Sequence, residues 1–304
     1  MSQTESETPI RMVCIFAVPR TGSSHLTRLL RNCEAFNVKS ELFHSGQVGL
    51  RAGEREALRA AAGDAAIDER SLSQWRRRNS GQTLEILSRE GGGRPLFFKL
   101  FPGHQTKNQV KEQIFSRADV GYLILRRRPI ECFISSLKAQ YFGSHGKVDT
   151  TNLKPTLTAA EFADWARKTK DWYDWAVEEL QQSGQPHLEL NFENELEGLS
   201  SEAALKNLLE GLSEMGLPDV AMPTKIAAGK RQDKEGDYRK RVANWAEFEA
   251  EVKADPAHAE LLEWAEALPR KELRALRLKQ ERRKKNRRAR RRQRRKDFPW
   301  RAAM

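Results

Sequence analysis

The chain has 304 residues, of which 38% are hydrophobic and 32% charged, with a formal net charge of +12 and a mean hydropathy of −0.73. That is one large domain or two small ones, with enough chain to bury a core. The longest purely apolar run, Met12 to Val18, has seven residues, against the roughly 20 of a membrane-spanning helix, so no transmembrane segment is expected. The charge is concentrated at one end. From Arg270 to Met304 there are 18 Lys and Arg against three acids, a local charge of +15, which leaves −3 for residues 1–269. Any basic site in the globular part must therefore be local. The polar, acidic start of the chain predicts neither a signal peptide nor a transit peptide. Three cysteines (Cys14, Cys33 and Cys132) with no pair at zinc-ligand spacing predict no disulfide framework and a reducing, cytoplasmic location.

Short apolar runs alternate with longer helical patterns, the signature of an α/β fold with a parallel sheet flanked by helices. Arg11 to Val18 reads as a buried strand, followed by a helix over His25 to Asn32 with Leu26, Leu29 and Leu30 on one face. Residues 51–93 read as helical up to the breaker Gly91-Gly92-Gly93. Strands are expected at Arg94 to Phe101, Gly121 to Leu125 and His187 to Phe192. Helices are expected at Ile130 to Gln140, Ala159 to Gln182, Ser201 to Met215 and Ala257 to Leu268. The organisation is a flexible N-terminus over 1–9, a globular domain over 10–269 and an Arg/Lys-rich tail, helical or disordered, over 270–304.

Two turns carry the chemistry. Pro19-Arg20-Thr21-Gly22-Ser23-Ser24-His25-Leu26 leaves a strand and opens a helix. The free N–H groups of such a first turn bind anions, and Gly22 permits close backbone approach. The hydroxyls of Thr21, Ser23 and Ser24 add donors, and Arg20 adds a charge. It is not the nucleotide-triphosphatase loop, which needs a second Gly and a Lys. An ordinary helix N-cap is the alternative. The second turn, Tyr122 to Ser136, ends a strand in Arg126-Arg127-Arg128-Pro129 and enters a helix, with Ser135 eight residues after Arg127. Both residues can reach one anion at the carboxyl edge of the sheet; a solvated turn is the alternative.

Together these segments resemble the two nucleotide-binding signatures of sulfotransferases that use 3′-phosphoadenosine-5′-phosphosulfate (PAPS). Pro19, Arg20, Thr21, Gly22, Ser23, Ser24 and Leu26 match the 5′-phosphosulfate loop, and Arg127, Pro129 and Ser135 match the 3′-phosphate element. A late stretch, Gly229-Lys230-Arg231-Gln232-Asp233 up to Asn244-Trp245, is similar to one in bacterial carbohydrate sulfotransferases and implies a basic loop over the nucleotide. The resemblance covers roughly residues 10–250. It implies a P-loop-like sulfotransferase fold, PAPS as donor and a hydroxyl acceptor, favouring a carbohydrate or glycolipid. The acceptor hydroxyl attacks sulfur in line while the bridging oxygen departs with negative charge. Arg20 occupies the family position for the cation at that oxygen, where charge develops. No metal is expected.

The acceptor needs a general base. Glu41 is the first candidate, from the resemblance of its Glu-x-Phe element to that of sugar sulfotransferases; His44 and His104 are the competitors. Lys99 either points into the cleft or snorkels at the strand end. Trp165, Trp172, Tyr173 and Trp175 follow helical spacing, and helix packing is preferred over sugar stacking. The run Arg282 to Lys296 suits a polyanion or an anionic membrane surface. That supplies the alternative function, a polyanion- or nucleic-acid-binding protein acting through its tail.

Overall fold

The computed structural model of the chain describes residues 9–46, 48–141, 149–227 and 233–267. Among them a five-stranded, all-parallel sheet runs in the order β2-β3-β1-β4-β5. The strands are β1 (Met12–Phe16), β2 (Asn37–Val38), β3 (Leu96–Leu100), β4 (Val120–Arg126) and β5 (His187–Asn191). Helix α1 (Ser23–Leu30) follows β1. Helices α2 (Ala52–Ala61), α3 (Glu69–Arg78) and α4 (Ser80–Glu90) occupy the stretch before β3. Helix α5 (Lys107–Val110) continues into a π turn (Lys111–Phe115) before β4. Helices α6 (Pro129–Tyr141) and α7 (Ala159–Ser183) separate β4 from β5, and α8 (Ser201–Met215), α9 (Trp245–Lys253) and α10 (Pro256–Glu266) follow.

The α/β class with a helix-flanked parallel sheet is thus as the sequence reads. β1 shows why. Every residue from Met12 to Val18 is buried, because a central parallel strand is covered on both faces. Met12, Cys14, Phe16 and Val18 join one core with Leu58, Leu84, Phe98 and Tyr122. Val13, Ile15 and Ala17 join the other, against Leu26, Leu29 and Leu30 of α1 and Leu205, Leu208 and Leu212 of α8. A third cluster joins α6, the start of α7, α9 and α10 through Phe133, Phe162, Phe248 and Leu262. The cysteines are buried thiols.

Several boundaries differ from expectation. The stretch over 51–93 is helical as read, and it divides into three helices. Asp68 caps α3 by accepting the Arg70 and Ser71 N–H groups, which starts a new helix where Gly63 and Asp64 had ended the last. β2 and α5 were not anticipated. β2 has only two residues, too few for a period to register. Residues 1–8 and the tail from 270 lie outside the described residues, as do Lys230, Arg231 and Gln232.

Helix α7 places the carboxyl ends of β1 and β4. Thr158 caps its start by accepting the Glu161 N–H, and Gly184 (φ 67°) ends it in the left-handed conformation. Trp172 stacks on Phe16 at 4.5 Å, and its indole N–H donates to the Ala17 carbonyl at 3.3 Å. The Tyr173 hydroxyl accepts from the Val18 N–H (3.1 Å) and donates to the Leu125 carbonyl (2.7 Å). Trp165 packs on Phe133 and Trp175 on Phe115. The aromatic set is therefore packing, with Tyr173 adding a polar bridge between two strands.

Tyr173→Phe leaves a buried N–H and a buried carbonyl without partners, at a cost of about 1–3 kcal/mol. Urea denaturation of the two proteins should show that loss; equal midpoints would mean the bridge contributes nothing.

Candidate active site at the carboxyl ends of β1 and β4

The two motif turns leave adjacent strands. The chain after β1 returns on one side of the sheet, at β2, and the chain after β4 returns on the other, at β5. A crevice opens at such a switch point, outside the strand ends.

After β1 the backbone turns sharply. Arg20 (φ 72°) is the one non-glycine with positive φ among the described residues, and Gly22 (φ 87°) follows it. The left-handed conformation costs an L-residue about 1–2 kcal/mol, so surrounding contacts must hold Arg20 there. The Thr21 hydroxyl donates to the Val18 carbonyl at 2.9 Å. Its single hydrogen is thereby used, and Thr21 has a backbone N–H rather than a hydroxyl donor to offer a ligand. Gly22 is the N-cap of α1 and supplies no side-chain cap, which leaves the positive end of the helix for another acceptor. Gly22 also needs to be glycine for space. A Cβ there would stand 2.1 Å from the ring of Phe192, at the end of β5. Ser23 is buried and Ser24 exposed.

The second turn meets the first. Arg20 Nε donates to Ser135 Oγ at 2.9 Å. The Arg127 guanidinium donates to the Arg20 carbonyl at 3.3 Å and to Glu131 at 2.7 Å, and it lies over the Phe192 ring. The structure thus brings Arg20, Gly22, Arg127 and Ser135 together. The Arg20 side chain is directed at Ser135, the serine of the second motif. Arg126 to Arg128 do not form a solvated turn, because each faces a carboxylate: Arg126 faces Glu189, and Arg127 and Arg128 face Glu131.

Glu131 is the residue that sequence reasoning missed here. It is buried and also pairs with Arg241 at 3.0 Å. Burial opposes its ionisation, but Arg127 and Arg241 outweigh that and hold its carboxyl below the usual range. Its spacing of four residues from Arg127, across the entry to α6, was the available signal. One carboxylate is shared among three guanidinium groups, while the buried Nε atoms of Arg127 and Arg128 have no hydrogen-bond partner among the described residues. An incoming phosphate group would complete that arrangement, so the residues fit the nucleotide that the motifs imply.

A second group of side chains gathers where β2 and β3 end. Lys99 is 1% exposed and donates to Ser24 Oγ at 3.1 Å. It points into the cleft. Burial lowers its pKa to about 8, against the opposing pull of Glu41. Glu41 and His104 face each other, Oε2 to Nε2, at 3.8 Å, across which charge acts without a direct hydrogen bond. His104, more than offsetting burial, holds Glu41 below the ordinary carboxylate range. His104 Nδ1 accepts the Phe101 N–H at 3.2 Å. Its proton when neutral is therefore on Nε2, toward Glu41. His44 is exposed, with its ring 5.9 Å from that of His104. No group of three or more His, Cys, Asp or Glu able to hold a metal occurs among the described residues. No described helix is long and apolar enough to cross a membrane.

No protein-family model matches the chain. No curated protein matches it either. Among solved structures, the sulfotransferase domain of the olefin synthase of Synechococcus PCC 7002 aligns with 88% of this chain and 99% of that one, at 17% identity and a TM-score of 0.46.

Gly22→Ala should deform the first turn, since the new methyl meets both the Phe192 ring and an unfavourable φ. A thermal melt should fall, and Gly22→Ala/Phe192→Ala should relieve the clash but not the φ strain. A single variant as stable as the parent would show that the turn has room to spare.

Proposed function

We propose that the protein transfers a sulfuryl group from PAPS to an acceptor hydroxyl, with a carbohydrate or glycolipid the favoured acceptor class. The observation that carries this reading is the convergence of the two motifs: Arg20 bonds Ser135 at 2.9 Å, and Arg127 bonds the Arg20 carbonyl. A single bisphosphorylated nucleotide needs anion sites at two ends, and side chains from both turns meet in one cleft. The three buried thiols accord with a reducing cytoplasm.

The donor supplies an activated sulfur on a phosphate leaving group. The chain supplies position and charge. The open N-terminus of α1 and the Ser24 hydroxyl hold the 5′ end. Arg127, Ser135 and the flanking Arg128 hold the 3′-phosphate, with Glu131 fixing the guanidinium groups. Arg20, at the junction of the two turns, and Lys99, beside Ser24, supply positive charge where the leaving oxygen becomes negative. Lys230, Arg231 and Gln232 are assigned to the nucleotide by resemblance alone.

Glu41 is the base. Neutral His104 has no lone pair free for an acceptor: Nδ1 holds the Phe101 N–H, and Nε2 bears the proton facing Glu41. Glu41 has a partly exposed carboxylate that is ionised at neutral pH. Its low pKa makes it a modest base; the proton it takes stays on Glu41, which His104 orients.

Labelled PAPS with a panel of hydroxyl acceptors tests the reading. Glu41→Gln should bind adenosine 3′,5′-bisphosphate like the parent and lose transfer by about 10²–10⁴-fold. A parent protein that binds neither nucleotide would overturn the proposal. In pH profiles of kcat/KM, activity should hold to below the ordinary carboxylate range, where Glu41 takes up its proton. It should fall as pH rises through about 8, where Lys99 loses its charge. Lys99→Arg should move the alkaline limb upward, because a guanidinium stays protonated; an unmoved limb would remove Lys99 from that role.

A further inference from the structure

The β2 edge of the sheet carries a second basic feature with its own lining, beside the cleft just described: Arg31 on its wall lies near enough to Lys99 to lower that lysine's pKa. A pocket of about 620 Å³ lies along β2 and is lined by Arg31, Arg51 and Arg94, with Lys39, Phe36 and Val38 among the other walls. None of Arg20, Ser24, Glu41, Lys99, Arg127 or Ser135 lines it.

The charges around it do not cancel. Arg31 is exposed and has no hydrogen-bond or ion-pair partner for its side chain among the described residues; its partial burial and the neighbouring Arg28 lower its pKa. Arg94 is fixed by two neutral acceptors, the carbonyls of Gly91 (2.9 Å) and Glu34 (3.4 Å). Lys39 is bound by Glu54 at 2.5 Å, and Arg51 has only the same carboxylate, at 4.0 Å. Glu34 is the one acid on the wall. It is exposed, and it forms no side-chain ion pair among the described residues. Four cations thus face two carboxylates, in a globular part whose net charge is −3.

The edge strand adds to this. Asn37 and Lys39 donate their N–H groups to Pro95 and Phe97 of the β3 side, at 3.0 and 2.8 Å. The backbone groups of the intervening Val38 therefore point away from β3, as alternate residues of a strand do. Phe36 and Cys33 supply an apolar wall. The volume is far more than a bare tetrahedral ion fills and falls in the range of small-molecule sites.

We propose that this pocket binds a small organic phosphate or sulfate monoester. The oxyanion lies among Arg31, Arg51 and Arg94, and the organic part rests on Phe36 and Val38. Guanidinium groups suit such an oxyanion because their paired N–H donors match its oxygens. The assignment does not depend on the sulfuryl-transfer reading.

Calorimetry of the full chain with glycerol 3-phosphate as probe tests it. Millimolar binding is expected. Arg31→Ala and Arg51→Ala should each weaken it about tenfold or more, the loss of one charge-assisted contact. Arg70→Ala, on the exposed face of α3 and outside the pocket, should leave it unchanged. Inorganic phosphate should bind more weakly than the ester, since it leaves the apolar wall uncovered. Equal affinity in parent and Arg31→Ala would overturn the proposal, and so would no binding at all. Loss in Arg127→Ala with Arg31→Ala unaffected would move the anion to the cleft between β1 and β4 and overturn it too. Inorganic phosphate binding as tightly as the ester would reduce the pocket to a bare ion site and refute the monoester assignment.

Discussion

One phenol hydroxyl spans the ends of two strands. Tyr173 takes the Val18 N–H and gives its proton to the Leu125 carbonyl, closing the ladder where β1 and β4 stop pairing. Backbone groups at the end of a buried strand must find partners. Here they find them on α7, together with the Trp172 indole on Ala17. Everything in the cleft follows from that closure. The turn after Val18 and the turn after Arg126 start from ends held at a fixed separation, so Arg20 and Ser135, 115 residues apart in sequence, meet at 2.9 Å. The strained φ of Arg20 is sustained by the same closure, because both its flanks are tied.

The cleft then sets burial against charge. Three guanidinium groups converge on the buried Glu131, an arrangement that taking charges out of water would forbid without close pairing. Close pairing is what is seen, at 2.7, 3.0 and 3.3 Å. Lys99 is the opposite case. It lies buried with a hydroxyl as its hydrogen-bond partner, and its pKa drops to about 8. A cation left partly unanswered in a dry site is poised for an anionic group, whose arrival raises its pKa again. The two ends of the cleft thus differ: at one, three guanidinium groups share a single carboxylate, and at the other a single ammonium has a neutral hydroxyl partner.

The parts legible in the sequence are those whose signal is local. β1 is a continuous apolar run because both faces of the sheet are covered, and β3 and β4 are apolar apart from Lys99 and the terminal Arg126. Helix α8 matches its expected span, Ser201 to Met215, since Ser200 caps it and Gly216 ends it. Helix α5 was missed although Thr106 and Gln109 form a reciprocal capping pair that can be read at that spacing. β2 had no such signal, because two residues on a sheet edge owe their conformation to Pro95 and Phe97, about 60 positions away. In the cleft, the motif residues were visible and their supports were not. Phe192 sits on Gly22 across the chain, and Tyr173 read only as one more aromatic on a helical face.

The idea on which the cleft stands is that its two turns grip opposite ends of one ligand. Calorimetry with adenosine 3′,5′-bisphosphate and adenosine 5′-monophosphate, on the parent and on Arg127→Ala, measures this as a double difference. The parent should bind the bisphosphate at least tenfold more tightly, about 1.4 kcal/mol, and the variant should lose most of that preference while keeping its affinity for the monophosphate. A parent indifferent to the 3′-phosphate, or a variant that retains the full preference, would contradict the two-ended site.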